Sequence, residues 1–289
     1  MLLPAVGRAQ IEIPSLFEYV VAPEDLPDLE SRTNYIMENF WSPMDFKNTQ
    51  YVDQQALNHA FSVYAESMPY ASWGKVKSSV QNLVNNLKGN PGLSYQFTRA
   101  AEESLYGPRA DFWVDEIYLS FVNNMLADKK IAESKKERYR KQKALLQATE
   151  AGSKLPEIGY IPLSDTHVLK PEKGVTVIGF LTAENPDNDF VKLQLDINGT
   201  INDMLEDGQL ALFLVYDKEL DKEQLKDFKK GWNVGFARER EKKLDLRTDP
   251  SFYILDKDFK ILKKNLAVDQ VAEYLRSTDS TIKNTSKKR

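Results

Sequence analysis

The sequence has no cysteine and only two histidines in 289 residues. The first absence excludes disulfides, thiolate metal sites and cysteine nucleophiles together, although it assigns no compartment. The second leaves little for a zinc site or a serine–histidine–aspartate triad. His59 sits in the helical stretch QQALNHAF and His167 in a short strand pattern. Both read as packed or surface histidines rather than ligands, so no metal and no cofactor are expected. No apolar run reaches the roughly eighteen residues a membrane helix needs, and no transmembrane segment is expected. An excess of basic charge is also missing: 39 Lys and Arg face 43 Asp and Glu, for a net charge of -4. That balance gives no general pull toward nucleic acid or an anionic membrane.

What is present is an ordinary globular composition, 42% hydrophobic and 28% charged, in a chain long enough for two domains with separate cores. Residues 1–14 read as a separate element. MLLPAVGRAQ carries Leu2 and Leu3 followed by small residues at Gly7 and Ala9. Two readings fit: the remnant of an export signal, or a short disordered start.

Residues 15–150 have a helical period. Six helices are predicted, in PEDLPDLESRTNYIMENFW, VDQQALNHAFSVYAES, SWGKVKSSVQNLVNNLKG, Leu93 to Leu105, DFWVDEIYLSFVNNMLA, and Ala132 to Ala148. Leu29, Ile36 and Phe40 are expected to share a face of the first. Val76, Val80, Leu83 and Leu87 form the stripe of the third. Between Lys129 and Lys143 lie eight basic residues and two acids, Glu133 and Glu137. This run reads as a solvated helix with internal ion pairs rather than a phosphate-binding face.

EAGSKLPEIG marks the expected domain boundary. Beyond it the period changes to that of an α/β layer. A hairpin is expected around Ser164–Asp165. GVTVIGFL and GQLALFLVY are short apolar runs suited to central strands covered on both faces. The intervening VKLQLDINGT fits either a strand or a helix. A crossover between parallel strands favours helix, with Phe190, Leu193, Ile197, Ile201, Met204 and Leu205 on one face and Gly199 as its weak point. An amphipathic helix is expected in KELDKEQLKDFKKG, then a short strand, a hairpin turning at Asp256–Phe259, and a closing helix. Residues 277–289 read as a disordered basic tail.

The order of elements, ending in TDPSFYILDKDFKIL, resembles the thioredoxin fold. With ENFWSPMDF and ERYRKQKALLQA in the helical half, the chain is similar to exported Bacteroidetes proteins that join a helical domain of unknown function to a thioredoxin-like domain. The resemblance implies a helical domain followed, over residues 156–276, by a mixed β-sheet flanked by helices. It also implies a cis-proline at Pro250, preceded by Asp249. Redox members of the family carry two cysteines after the central strand. Here NPDNDFV places Asn188 and Val191 at those positions. An amide and a valine cannot exchange disulfides, which excludes thiol–disulfide oxidoreductase activity.

A non-catalytic binding module of the periplasm or cell envelope is therefore expected. Its groove would involve Asp187, Asn188, Asp249, Pro250 and Trp232, and an envelope protein or peptide would be its partner. Two alternatives remain: a structural or assembly role through the helical domain, and a hydrolase using Glu184, Asp187 and Asp189. Trp41 and Trp232 could each line a pocket, but such aromatics more commonly sit in a core.

Overall fold

A computed structural model describes residues 15–163 and 174–286, with side chains up to residue 278. Residues 1–14, His167 and the turn expected at Ser164–Asp165 lie outside the described residues. The chain divides into two compact units, Met1–Lys143 and Ala144–Arg289.

The first unit is helical: α1 (Leu29–Asn39), α2 (Gln54–Ser67), α3 (Trp73–Leu87), α4 (Pro91–Leu105), α5 (Asp115–Ala127) and the greater part of α6 (Glu133–Ala148). Local chemistry sets the starts. Asp28, Asp53 and Asn90 each accept a backbone N–H of the following turn, and Pro91 opens α4 where no donor is needed. The α3 stripe of Val76, Val80, Leu83 and Leu87 is buried. The α1 face differs from expectation. Leu29 is exposed, while Thr33, Met37 and Phe40 are buried. An apolar residue at the first helical position lies too near the end of the helix to reach the core. Phe40, Trp41, Phe61, Tyr64 and Phe97 form the aromatic centre, with Trp41 and Phe97 edge to face at 5.0 Å. The basic residues of α6 are widely paired: Lys141 with Glu137 at 2.9 Å, Lys136 and Arg140 with Glu133, and Arg138 with Glu102 at 2.5 Å.

The second unit is built on β1 (Ile161–Pro162), β2 (Val175–Leu181), β3 (Leu210–Tyr216), β4 (Asn233–Phe236), β5 (Ser251–Leu255) and β6 (Ile261–Leu266), in the order β1-β4-β3-β2-β5-β6. β2, β3 and β4 are parallel, and β1, β5 and β6 run antiparallel to their neighbours. Ile161 and Pro162 pair with Phe236 and Gly235 at the far edge of the sheet. On one face α7 (Asn188–Asp196), α8 (Gly199–Glu206) and α10 (Val268–Ser286) supply Val191, Leu195, Ile201, Val271 and Leu275 to a core with Val177, Leu212 and Ile254. On the other face Leu155, Ile158, Tyr160 and Leu244 cover Ile178, Phe180 and Tyr253. Both faces are covered, which is why β2 and β3 are apolar at nearly every position.

Three expectations are corrected. The crossover is two helices. The Asn198 side chain accepts the Ile201 N–H at 3.1 Å and restarts the chain as α8. The first half of the expected face is also wrong. Phe190, Leu193 and Ile197 are 60%, 53% and 71% exposed, whereas Val191 and Leu195 are buried. In α8 the expected face holds, with Ile201 buried and Met204 and Leu205 packed against the same core. The set 190, 193 and 197 has helical spacing, but so does 191 and 195, and only the position of the sheet decides between them. Leu195→Ala should therefore cost about 2–5 kcal/mol and Ile197→Ala under about 1 kcal/mol in urea unfolding. Equal costs would refute this assignment of faces.

The helix expected in KELDKEQLKDFKKG shrinks to α9 (Lys222–Leu225), held by a capping box between Asp221 and Gln224. Too few apolar residues follow to anchor further turns. The closing helix α10 runs to Ser286. The turn at Asp256–Phe259 forms with the Asp256 carboxylate accepting the Asp258 and Lys260 N–H groups at 2.8 and 2.9 Å.

Candidate functional site

In open α/β sheets the carboxyl ends of parallel strands leave a crevice between diverging loops. Here β2 ends at Leu181 and β3 at Tyr216, and β5 enters beside them because Ser251 pairs with Phe180. Residues 182–187, the segment after Tyr216, and Asp249–Pro250 meet at this edge. The Asp249–Pro250 peptide bond is cis.

The loop is cross-linked by hydrogen bonds. Thr182 N–H donates to the Asp249 carboxylate at 2.9 Å, and Ala183 N–H donates to the Asp217 carboxylate at 2.8 Å. The Asn185 amide donates to the Asp249 carbonyl at 3.0 Å, while its oxygen accepts the Asp187 N–H at 2.9 Å. Asn188, the first residue of α7, donates from Nδ2 to the Thr182 carbonyl at 2.9 Å. Its Oδ1 is buried and has no hydrogen-bond partner among the described residues. Below the loop lies Arg240, a buried guanidinium that donates to the Leu181 carbonyl at 2.6 Å and the Val215 carbonyl at 3.0 Å. It thus ties the ends of β2 and β3 together. Burial draws its pKa down against the attraction of Asp217, Asp249 and Glu241. Tyr216 is pushed above the ordinary phenol value by burial, with Asp189 and Asp249 adding to the effect.

Of the residues predicted for the groove, Asp187, Asn188 and Asp249–Pro250 are brought together. Val191 is buried beneath them in the core. Trp232 is not part of this group. It is buried against β3 and β4 and borders a separate depression of about 350 Å³ with Lys192, Leu193 and Phe228. Trp41 is likewise a core residue. The loop carboxylates do not converge on a reaction centre. Glu184 pairs with Lys218 at 2.5 Å and Asp189 with Lys192 at 2.7 Å, and both side chains are largely exposed. A hydrogen bond from Lys192 holds Asp189 below the usual carboxylate range, the opposite of what a general acid requires. Among the described residues no group of three or more His, Asp or Glu could hold a metal ion, and no helix is long and apolar enough to cross a membrane.

Sequence reasoning missed Asp217 and Arg240. Asp217 had a usable signal, an acid directly after an apolar strand at a strand end. Arg240 had none, because nothing in RERE distinguishes the one buried arginine from its exposed neighbour.

Comparison with known proteins fits this architecture. Residues 6–149 match the family model of DUF5106, a domain of unknown function. A thioredoxin-like protein from Bacteroides caccae matches with a TM-score of 0.77 at 18% identity, over 91% of this chain and 99% of its own. The C-terminal domain of an uncharacterized Bacteroides fragilis protein matches 45% of this chain and 99% of its own, at 22% identity and a TM-score of 0.40. A possible thiol-disulfide isomerase domain from Cytophaga hutchinsonii matches 46% of this chain and 96% of its own, at 15% identity and a TM-score of 0.34. No curated protein matches. The chain thus carries a DUF5106 domain followed by a thioredoxin-like fold without the cysteine pair.

Proposed function

We propose that this chain, a DUF5106 domain joined to a cysteine-free thioredoxin-like fold, is a binding protein of the periplasm or cell envelope. It holds an extended protein or peptide segment at the edge formed by Asp187, Asn188 and Asp249–Pro250. One observation carries this reading. The loop after β2 is locked to Asp249 by the Thr182 N–H and the Asn185 amide, although there is no thiol chemistry left to organise. Two hydrogen bonds at this edge hold a fixed surface, and a fixed surface loses less entropy when a ligand binds. The envelope location is supported by the pattern of Leu2, Leu3, Gly7 and Ala9 and is tested by fractionation of native cells.

The binding test is cross-linking in native envelopes, followed by mass spectrometry. Asp249→Ala removes the Thr182 partner. Asp217→Ala removes the matching bond to Ala183 but leaves Asp249 in place. Each change is expected to cost about 1 kcal/mol of stability. A discrete partner should be reduced at least about tenfold by Asp249→Ala and retained by Asp217→Ala. Equal capture by both variants would move the contact elsewhere. The helical unit is then favoured, because Tyr70, just before α3, and Trp73, its first residue, are both exposed.

A further inference from the structure

The helical unit contains a cleft of about 540 Å³ between α2, α4 and the segment joining α4 to α5. Its volume is within the range of small-molecule sites. The joining segment is a compact loop rather than a loose connection. Its ends are closed by a hydrogen bond from Val114 N–H to the Leu105 carbonyl at 3.2 Å. Inside it, Gly107 N–H donates to the Glu102 carbonyl at 2.6 Å, and Trp113 Nε1 donates to the Gly107 carbonyl at 3.0 Å. Tyr106 stacks on Tyr118 of α5 at 4.7 Å. Loops closed and packed in this way are frequently functional. One wall of the cleft is therefore held in place before anything binds.

The lining has a definite chemistry. Glu66, Glu103 and Asp111 contribute three carboxylates, Arg109 one guanidinium and His59 an imidazole. Two of the acids have internal partners: Glu66 accepts from Ser62 at 2.8 Å and Glu103 from Asn58 at 2.5 Å. Arg109 and Asp111 are both exposed. No ion pair or side-chain hydrogen bond is formed by either among the described residues. Ala65 and Phe112 supply apolar surface. The site thus offers excess negative charge, one fixed positive charge two residues from an uncommitted acid, and room for more than a single ion.

We propose that this cleft binds a short basic peptide. Its ammonium groups face Glu66, Glu103 and Asp111, and its terminal carboxylate faces Arg109, for which guanidinium geometry is well suited. This site is separate from the edge at Asp249 and does not depend on that reading.

The test is calorimetric titration of the full chain with trilysine, triglutamate, trialanine and trilysine amide at low salt. Trilysine should bind at least about tenfold more tightly than trialanine, and triglutamate should not bind. Glu66→Gln with Asp111→Asn should weaken trilysine about tenfold or more. Arg109→Ala should weaken trilysine but leave the amide unchanged, since the amide has no carboxylate to lose. These residues are on the surface, and circular dichroism checks that the variants stay folded. Three results would each overturn the proposal: no binding of trilysine, equal binding of triglutamate, or wild-type affinity in the double variant. Asp249→Ala should leave the titration unchanged, which separates failure at one site from failure at the other.

Discussion

Replacing Asp245 with alanine should destabilise the thioredoxin-like unit by about 3–5 kcal/mol, the range for removing one partner from a buried charge network. Asp245 is 1% exposed. Its Oδ1 accepts from Arg247 Nε at 3.0 Å, and its Oδ2 from Arg247 Nη2 at 2.7 Å, Lys264 Nζ at 2.7 Å and Asn265 Nδ2 at 3.1 Å. The Arg247 and Lys264 side chains are themselves 4% and 14% exposed. Without the carboxylate, two poorly hydrated cations lose the anion they share. Alanine also removes the group that orients Asn265, whose own oxygen accepts from Ser251 at 2.8 Å.

The same network gives a pH dependence of known sign. Burial pushes the Asp245 pKa up, but the hydrogen bonds and charges of Arg247 and Lys264 outweigh it and the net shift is downward from 3.8. The folded state therefore binds this proton less readily than the unfolded chain. The stability contributed is fully present above the unfolded value, near 3.8, and is lost as pH falls through the lower folded value. Urea unfolding of wild type and Asp245→Asn at pH 7, 5 and 3 should show a large difference at the first two and a smaller one at the third. A difference below about 1 kcal/mol at pH 7 would mean that the network contributes little. A gap that stays constant down to pH 3 would mean that Asp245 takes up its proton equally in the folded and unfolded states, and so that its pKa is not lowered by the network.

The second large effect concerns chemistry. The double substitution Asn188→Cys, Val191→Cys should create an oxidisable pair in a protein whose thiol background is zero. The two positions are three residues apart in the first turn of α7, and side chains at that spacing share a helix face. The first lies at a helix N-terminus, where partial positive charge favours a thiolate. The second is buried behind it, so attack from outside falls on the first sulfur. Closing the bond requires the turn to tighten slightly, because disulfide Cβ atoms approach to about 4 Å. The substitution removes the Asn188 hydrogen bonds to the Thr182 and Ala183 carbonyls, at about 1–2 kcal/mol. Mild oxidant should abolish both titratable thiols, and the reduced form should cleave a small disulfide probe that the wild type leaves intact. Thiols that stay free after oxidation would show that this loop has departed from a redox-competent frame in more than two side chains.

Much of the fold follows from local patterns. The α3 stripe is repeated at steps of three and four residues, and any neighbour that covers it gives the same helix. GVTVIGFL and GQLALFLVY are too short and too β-branched or aromatic to be anything but buried strands, and the turn at Asp256 is built from its own side chain. The loss of thiol chemistry is also local, since it depends only on which atoms Asn188 and Val191 carry.

Other features were open until the chain was folded. Asn198 could cap a helix or sit in a strand turn, and pairing of β2 with β3 in parallel made it a cap. Two sets of residues in α7 had helical spacing, and the position of the sheet buried Val191 and Leu195 while exposing Leu193 and Ile197. Asp217, Arg240 and Asp249 come together from three separate strand ends, and His59 and Arg109 line one cleft although some fifty residues of sequence separate them. The sequence by itself determined most of the first unit's helices, the central strands and the excluded thiol chemistry, because these depend on neighbours within about four residues. Only the tertiary structure decided the exposed helix face, the hydrogen-bonded edge and the charged cleft, because each joins groups that the chain keeps far apart until it folds.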